Sequence, residues 1–256
     1  MLVKRFSLTR VGVFALCCLA PWPVHAGPPY RTDDPEPTEF QHFELYTFST
    51  GTLVSGETAG TLPGVELNYG LIPNGQLTID AVAAFDNPSS GAVRLGYGDM
   101  PISFKYRFIQ EDSQGWRPQV AVFPLLNLPT GNEDRGLGVG HLQAFLPVWL
   151  QKSFGDWIVD GGAGYWINPG GATDKDFWFA GVLLQRKLTD KLTVGAEIFH
   201  QTADSTDSRD TTGFNVGATY DFDKHNRVLF SAGRGLQNAT DVNEFSWYVG
   251  YLVTGP

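Results

Sequence analysis

Apolar and polar residues alternate along most of this chain. In 65–71, VELNYGL, every odd position is apolar and every even one is polar or glycine. In 102–108, ISFKYRF, apolar residues alternate with Ser103, Lys105 and Arg107, and 214–222 and 245–251 repeat the pattern. A period of two puts successive side chains on opposite faces of a strand. Beyond residue 26 no stretch sustains a helical period, and apolar runs break at Gly, Pro, Asn or Asp after about ten residues, which predicts an all-β chain.

The pattern predicts about twelve strands, at 40–49, 62–71, 76–85, 100–109, 116–128, 140–152, 157–167, 177–188, 192–201, 213–222, 227–235 and 245–253. Their connections alternate in length. Those at 72–75, 110–115, 153–156, 189–191 and 223–226 are short; those at 50–61, 86–99, 129–139, 168–176, 202–212 and 236–244 are longer and rich in Gly, Ser, Thr and Asp. A soluble sandwich has no reason to alternate in this way. A single antiparallel transmembrane β-barrel does, with short periplasmic turns, longer extracellular loops and both ends periplasmic.

The hairpin at 138–170 supports that reading. Its arms match the roughly 9–11 residues a tilted strand needs to cross a bilayer. Trp149, Phe154 and Trp157 stand at its turn and Tyr165 and Trp166 at its far end, as two membrane interfaces would select. The apolar set is therefore expected to face lipid. The opposite set contains Gly70, Gly217 and Gly250, which would weaken a solvated face but leave room in a crowded lumen. Pro118, Pro124 and Pro147 are expected at bulges or strand ends.

This assignment points Glu44, Glu66 and Asp80 inward on the first three strands and Lys105, Arg107 and Arg117 inward on the next two, with Asp160 and Glu197 further round. Placing Asn68 opposite Asp80 requires a three-residue loop, Pro73-Asn74-Gly75, with Gly in the left-handed position. Acids on one wall then meet bases on the next. Either local salt bridges such as Asp80 with Lys105 close the lumen, or the charges set a field across a narrow pore.

Composition refines the picture at the amino end. Residues 1–26 read as a cleaved signal peptide: Lys4, Arg5 and Arg10 precede an apolar run, and Val24-His25-Ala26 is a small-x-small cleavage site. Leu16 before Cys17 argues against lipidation, and both cysteines lie in this leader, so no disulfide framework follows it. The Pro-rich segment 27–39, GPPYRTDDPEPTE, suits a flexible periplasmic tail better than a segment folded into the lumen. The barrel is expected over 40–256. Without the leader the acids outnumber the bases by about 12, which excludes a nucleic-acid partner.

TDDPEPTE, NLPTG at 127–131, GVGHLQAFLPVWLQKSFGDW, GYWINPG and GAEIFHQTAD at 195–204 resemble the outer-membrane proteins grouped as MetA-pathway-of-phenol-degradation-like. The resemblance covers nearly the whole chain after the leader and rests on strand-and-turn motifs. It implies a transmembrane barrel that passes small hydrophobic or aromatic compounds across the bacterial outer membrane. It names no cargo, because a shared fold does not fix a shared function.

No motif implies an enzyme, a cofactor or a metal. His42, His141, His200 and His225 are scattered over strands and a turn, without ligand spacing. A lipid-acting hydrolase would need His200, expected on the lipid face, to reach Ser205 in the following loop, and no third orienting group accompanies them. The glycines at 161–164 and 213–217 lead into no helix, so they are not phosphate loops. Acids in the long loops, such as Asp207, Asp210 and Asp241, serve solubility; the alternative is divalent cations bridging them to lipopolysaccharide, beside the lipid that surrounds the barrel. A barrel whose lumen is simply closed is the third reading.

Overall fold

The computed structural model describes residues 28–256; the expected leader, 1–26, lies outside the described residues. The strands are β1 (Phe43–Val54), β2 (Glu57–Ile72), β3 (Gly75–Asn87), β4 (Arg94–Tyr97), β5 (Met100–Ile109), β6 (Gln119–Val122), β7 (Leu125–Leu128), β8 (Gln143–Phe154), β9 (Trp157–Ile167), β10 (Phe177–Lys187), β11 (Leu192–Gln201), β12 (Thr211–Asp221), β13 (Asn226–Gln237) and β14 (Phe245–Gly255). β1 pairs with β14 from Phe43 opposite Gly255 to Leu53 opposite Phe245, which closes the sheet and leaves lipid no unpaired edge.

The result is a closed antiparallel barrel of twelve staves with two extra strand segments. One stave is split: β6 and β7 both lie between β5 and β8, separated at Phe123-Pro124. Pro147 of β8 faces this break, where the Phe123 amide reaches the Pro147 carbonyl at 3.4 Å, so a residue without an N–H interrupts no further ladder bond. The other extra segment, β4, lies within the expected long loop and pairs with the far end of β3.

The predicted loop 50–61 is instead almost wholly strand. β1 and β2 run on as a tall hairpin and turn at Ser55-Gly56, both with positive φ (50° and 82°), the geometry that matches strand twist in a two-residue hairpin. The turn between β2 and β3 also corrects the expected register. It has two residues, Pro73 and Asn74, with Asn74 rather than Gly75 left-handed (φ 62°), and a register shift at Gly70/Ile72. Glu66, not Asn68, therefore stands opposite Asp80.

Val65, Leu67, Tyr69 and Leu71 of β2 are exposed on the outer face while Asn68 is buried behind them. On β10, Trp178, Val182 and Leu184 are outside and Phe177, Phe179, Leu183 and Gln185 inside. An exposed apolar belt of alternate residues is what lipid contact selects. Both faces of β10 are apolar, however, so the rule that apolar residues face lipid fails there. It fails for two girdle rings as well. Phe154 and Trp157 are exposed at one end of the β8–β9 hairpin, and Tyr165 leans on Trp178 at the other, but Trp149 is buried inside and Trp166 packs on the interior cluster.

Candidate functional site

Residues 28–40 are not a free tail. They enter at the barrel end that carries the short turns, where the Gln41 amide donates to Gly70 O at 2.8 Å, and run up inside the lumen. Thr32 and Asp34 are 0% and 2% exposed, values a solvated tail does not reach. Burial of so polar a segment requires partners for its backbone and charges. The wall supplies them from several staves.

Lys105 of β5 donates to Asp33 Oδ1 at 3.0 Å and to Asp34 Oδ1 at 3.4 Å. Arg107 donates to Glu36 Oε2 at 2.5 Å, to Gln119 Oε1 at 3.0 Å and to Asn74 Oδ1 at 2.9 Å. Gln76 accepts from the Thr38 amide at 2.7 Å and continues through Thr78 and Asn68 to Glu66. Across the lumen, Glu197 accepts from the Arg31 amide at 2.9 Å, the Thr32 amide at 2.8 Å and Asn215 Nδ2 at 2.6 Å. Ser231 donates to Pro29 O at 2.5 Å. The segment thus bridges staves that are far apart in the sheet.

Gly181 and Gly195 make this path passable. A Cβ at Gly181 would stand 2.2 Å from Thr32 Oγ1, and one at Gly195 would stand 2.6 Å from the Tyr30 hydroxyl oxygen. A small cavity of about 30 Å³ lies beside the segment, bounded by residues such as Asp33, Glu66, Gln76, Lys105 and Phe123.

The eight candidate residues divide as follows. Glu44, Lys105, Asp160 and Glu197 are buried, and Glu66, Asp80 and Arg107 are half-buried at inward positions. Asp160 is held between Gln151 Nε2 at 2.6 Å and Gln185 Nε2 at 3.0 Å, and Gln119 extends this amide ladder to Arg107. Arg117 is the exception. It is exposed in the turn before β6 and donates to Gln110 O at 3.2 Å, because that stave begins at Gln119, later than the apolar pattern suggests. The Asp80–Lys105 bridge is also absent among the described residues: Lys105 turns to Asp33 and Asp34, and Asp80 Oδ1 has no hydrogen-bond partner.

Sequence reasoning missed a second feature, an aromatic wall nearer the long loops. Phe145 stacks on Trp166 with centroids 4.7 Å apart, Phe179 meets Trp149 at 6.3 Å and Phe199 at 6.2 Å, and Phe123 packs alongside. Arg31 lies against this wall, 4.4 Å from the Phe199 centroid and 5.1 Å from that of Phe179. The inward glycines were the one signal for a filled lumen; nothing in the period singled out the rings. His200 Nδ1 pairs with Thr212 Oγ1 at 2.9 Å, while Ser205 and Ser208 bond one another, so the two residues of the hydrolase alternative have separate partners.

A closed antiparallel barrel with an apolar outer belt is the architecture of an outer-membrane β-barrel protein. Residues 31–248 match the family described as "Putative MetA-pathway of phenol degradation", and the chain belongs to that family. Among solved structures it is similar to an outer-membrane channel from Pseudomonas putida F1, with 18% identity over 87% of this chain and 98% of that one and a TM-score of 0.68. It is also similar to the KdgM porin, solved in complex with oligogalacturonate (9% identity, 81% and 98% covered, TM-score 0.54), and to the NanC porin (9%, 82% and 98%, 0.53). A comparison with curated proteins found no match.

Proposed function

We propose that this protein is an outer-membrane channel for small hydrophobic or aromatic compounds, in which residues 28–40 form a plug that shifts to let solute pass. The observation that carries this reading is the contrast inside the lumen. The plug hangs on side-chain hydrogen bonds and ion pairs, which water can replace, and it lies beside a fixed aromatic wall suited to apolar solutes. Residues 1–26 act in this reading as an export leader removed after Ala26, which the mass of the mature protein tests.

Liposome swelling across aromatic and aliphatic solutes tests the channel. Protein lacking residues 28–39 should admit small aromatic solutes at least tenfold faster than the intact chain. No flux from either form, with both correctly folded, would leave a structural barrel.

A further inference from the structure

The guanidinium of Arg31 is held in an unusual way for a cation inside a barrel. Nη2 donates to Gln201 Oε1 at 2.9 Å, and the group lies over the faces of Phe199 and Phe179 at 4.4 and 5.1 Å. Glu197 is near, but its carboxylate accepts from the backbone amides of Arg31 and Thr32 and from Asn215, not from the guanidinium. Among the described residues no carboxylate forms an ion pair with Arg31, whereas on the opposite wall Lys105 pairs with Asp33 and Asp34 and Arg107 with Glu36. Arg31 also keeps solvent-accessible surface, although Thr32 beside it is fully buried.

Two aromatic faces and a neutral carbonyl, with the Glu197 carboxyl group near by, are the elements of a site for organic cations. Phe179 and Phe199 continue into Trp149, Phe145 and Trp166, so apolar wall extends beyond the charged group.

We propose that Phe179, Phe199 and Gln201 form a binding site for small organic cations, a guanidinium or ammonium group carried on an apolar body, and that Arg31 occupies it as an internal stand-in for such a ligand. The site extends the channel reading above by naming a solute class. A cation that binds only the vacated site shifts the plug toward its released position, because it favours that state alone.

The test uses the purified barrel in detergent and two probes of one shape, benzylguanidinium and its neutral counterpart benzylurea. Fluorescence of the tryptophans reports binding, and resistance to SDS before boiling confirms that each variant is folded. Arg31→Gln, whose shorter neutral side chain vacates the site, should bind benzylguanidinium at least tenfold more tightly than benzylurea, and more tightly than the unaltered chain does. Adding Phe199→Leu should abolish the tenfold preference. Equal affinity for the two probes in Arg31→Gln, or an undiminished preference once Phe199→Leu is added, would overturn the proposal. Should Arg31→Gln fail to fold, a chain that keeps Arg31 and carries only Thr32→Cys decides: benzylguanidinium, and not benzylurea, must speed labelling of that thiol. Cation-selective binding without flux in liposomes would sink the channel and keep the site; flux without any preference would sink the site and keep the channel.

Discussion

The two halves of the lumen hold their contents by different physics. Toward the short turns, Lys105, Arg107 and Gln76 meet the plug with directional bonds, and the Gln119–Gln151–Asp160–Gln185 ladder braces the wall behind Arg107. Toward the long loops, Phe145, Trp149, Trp166, Phe179 and Phe199 offer area and little direction. Polar contacts specify where the plug sits, since each buried donor must find its acceptor. Aromatic contacts tolerate exchange, since one flat face serves many partners. The plug is therefore positioned by one half and left replaceable at its Arg31 tip by the other.

Removing a cation from the polar half should have the largest effect. Lys105→Ala leaves Asp34 buried without its ion partner, and breaking such a pair costs about 3–5 kcal/mol. The barrel ladder does not depend on Lys105, so the cost should appear as plug release. Maleimide labelling of a cysteine at Thr32, fully buried in the intact protein, should quicken by more than about 100-fold, in line with that energy. Unchanged protection would show that charge does not hold the plug.

Glu197→Gln should act in the same direction but less strongly. An amide offers one oxygen where the carboxylate offers two, so one of the Arg31 and Thr32 amides loses its acceptor, at about 1–3 kcal/mol. Backbone amide exchange at Thr32 should rise accordingly. Gly181→Ala tests space rather than bonding. Its Cβ would press Thr32 Oγ1, an overpacking cost of about 1–3 kcal/mol, and Thr32→Gly in the same chain should recover much of the plug protection measured by amide exchange at Asp34. Failure of that rescue would mean that the glycine serves the sheet, not the plug.

The smallest effect on the plug, and the sharpest contrast between the halves, is expected from Phe145→Leu. Phe145 stacks on Trp166 and meets Phe179, ring contacts that belong to the wall and leave out the plug. Labelling at Thr32 should stay as in the parent, while uptake of aromatic relative to aliphatic solutes falls several-fold in plug-deleted protein. A faster labelling rate would show the two halves to be coupled.

Much of this architecture is written in local pattern. Period two, the breaks after each strand and the alternation of short and long connections depend on neighbouring residues, and they led to twelve staves and to the inward placement of Glu44, Lys105, Asp160 and Glu197. The limits were local too. Arg117 fell outside its stave because apolar patterning marks strand ends poorly, and the register at Asp80 turned on one left-handed Asn74.

Three features were decided only by tertiary structure. The plug has no period to read, and its partners lie far along the chain, as Glu197 does, 166 residues from Arg31. Prolines and acids that describe a tail in isolation describe a ligand once a wall supplies donors at the right height. The inward rings of β10 were hidden because both of its faces are apolar, and alternation carries no information when the two sets are alike. The pairing of Lys105 with Asp33 and Asp34 instead of Asp80 was settled by what fills the lumen, since a buried charge takes the nearest partner in space and sequence distance does not enter.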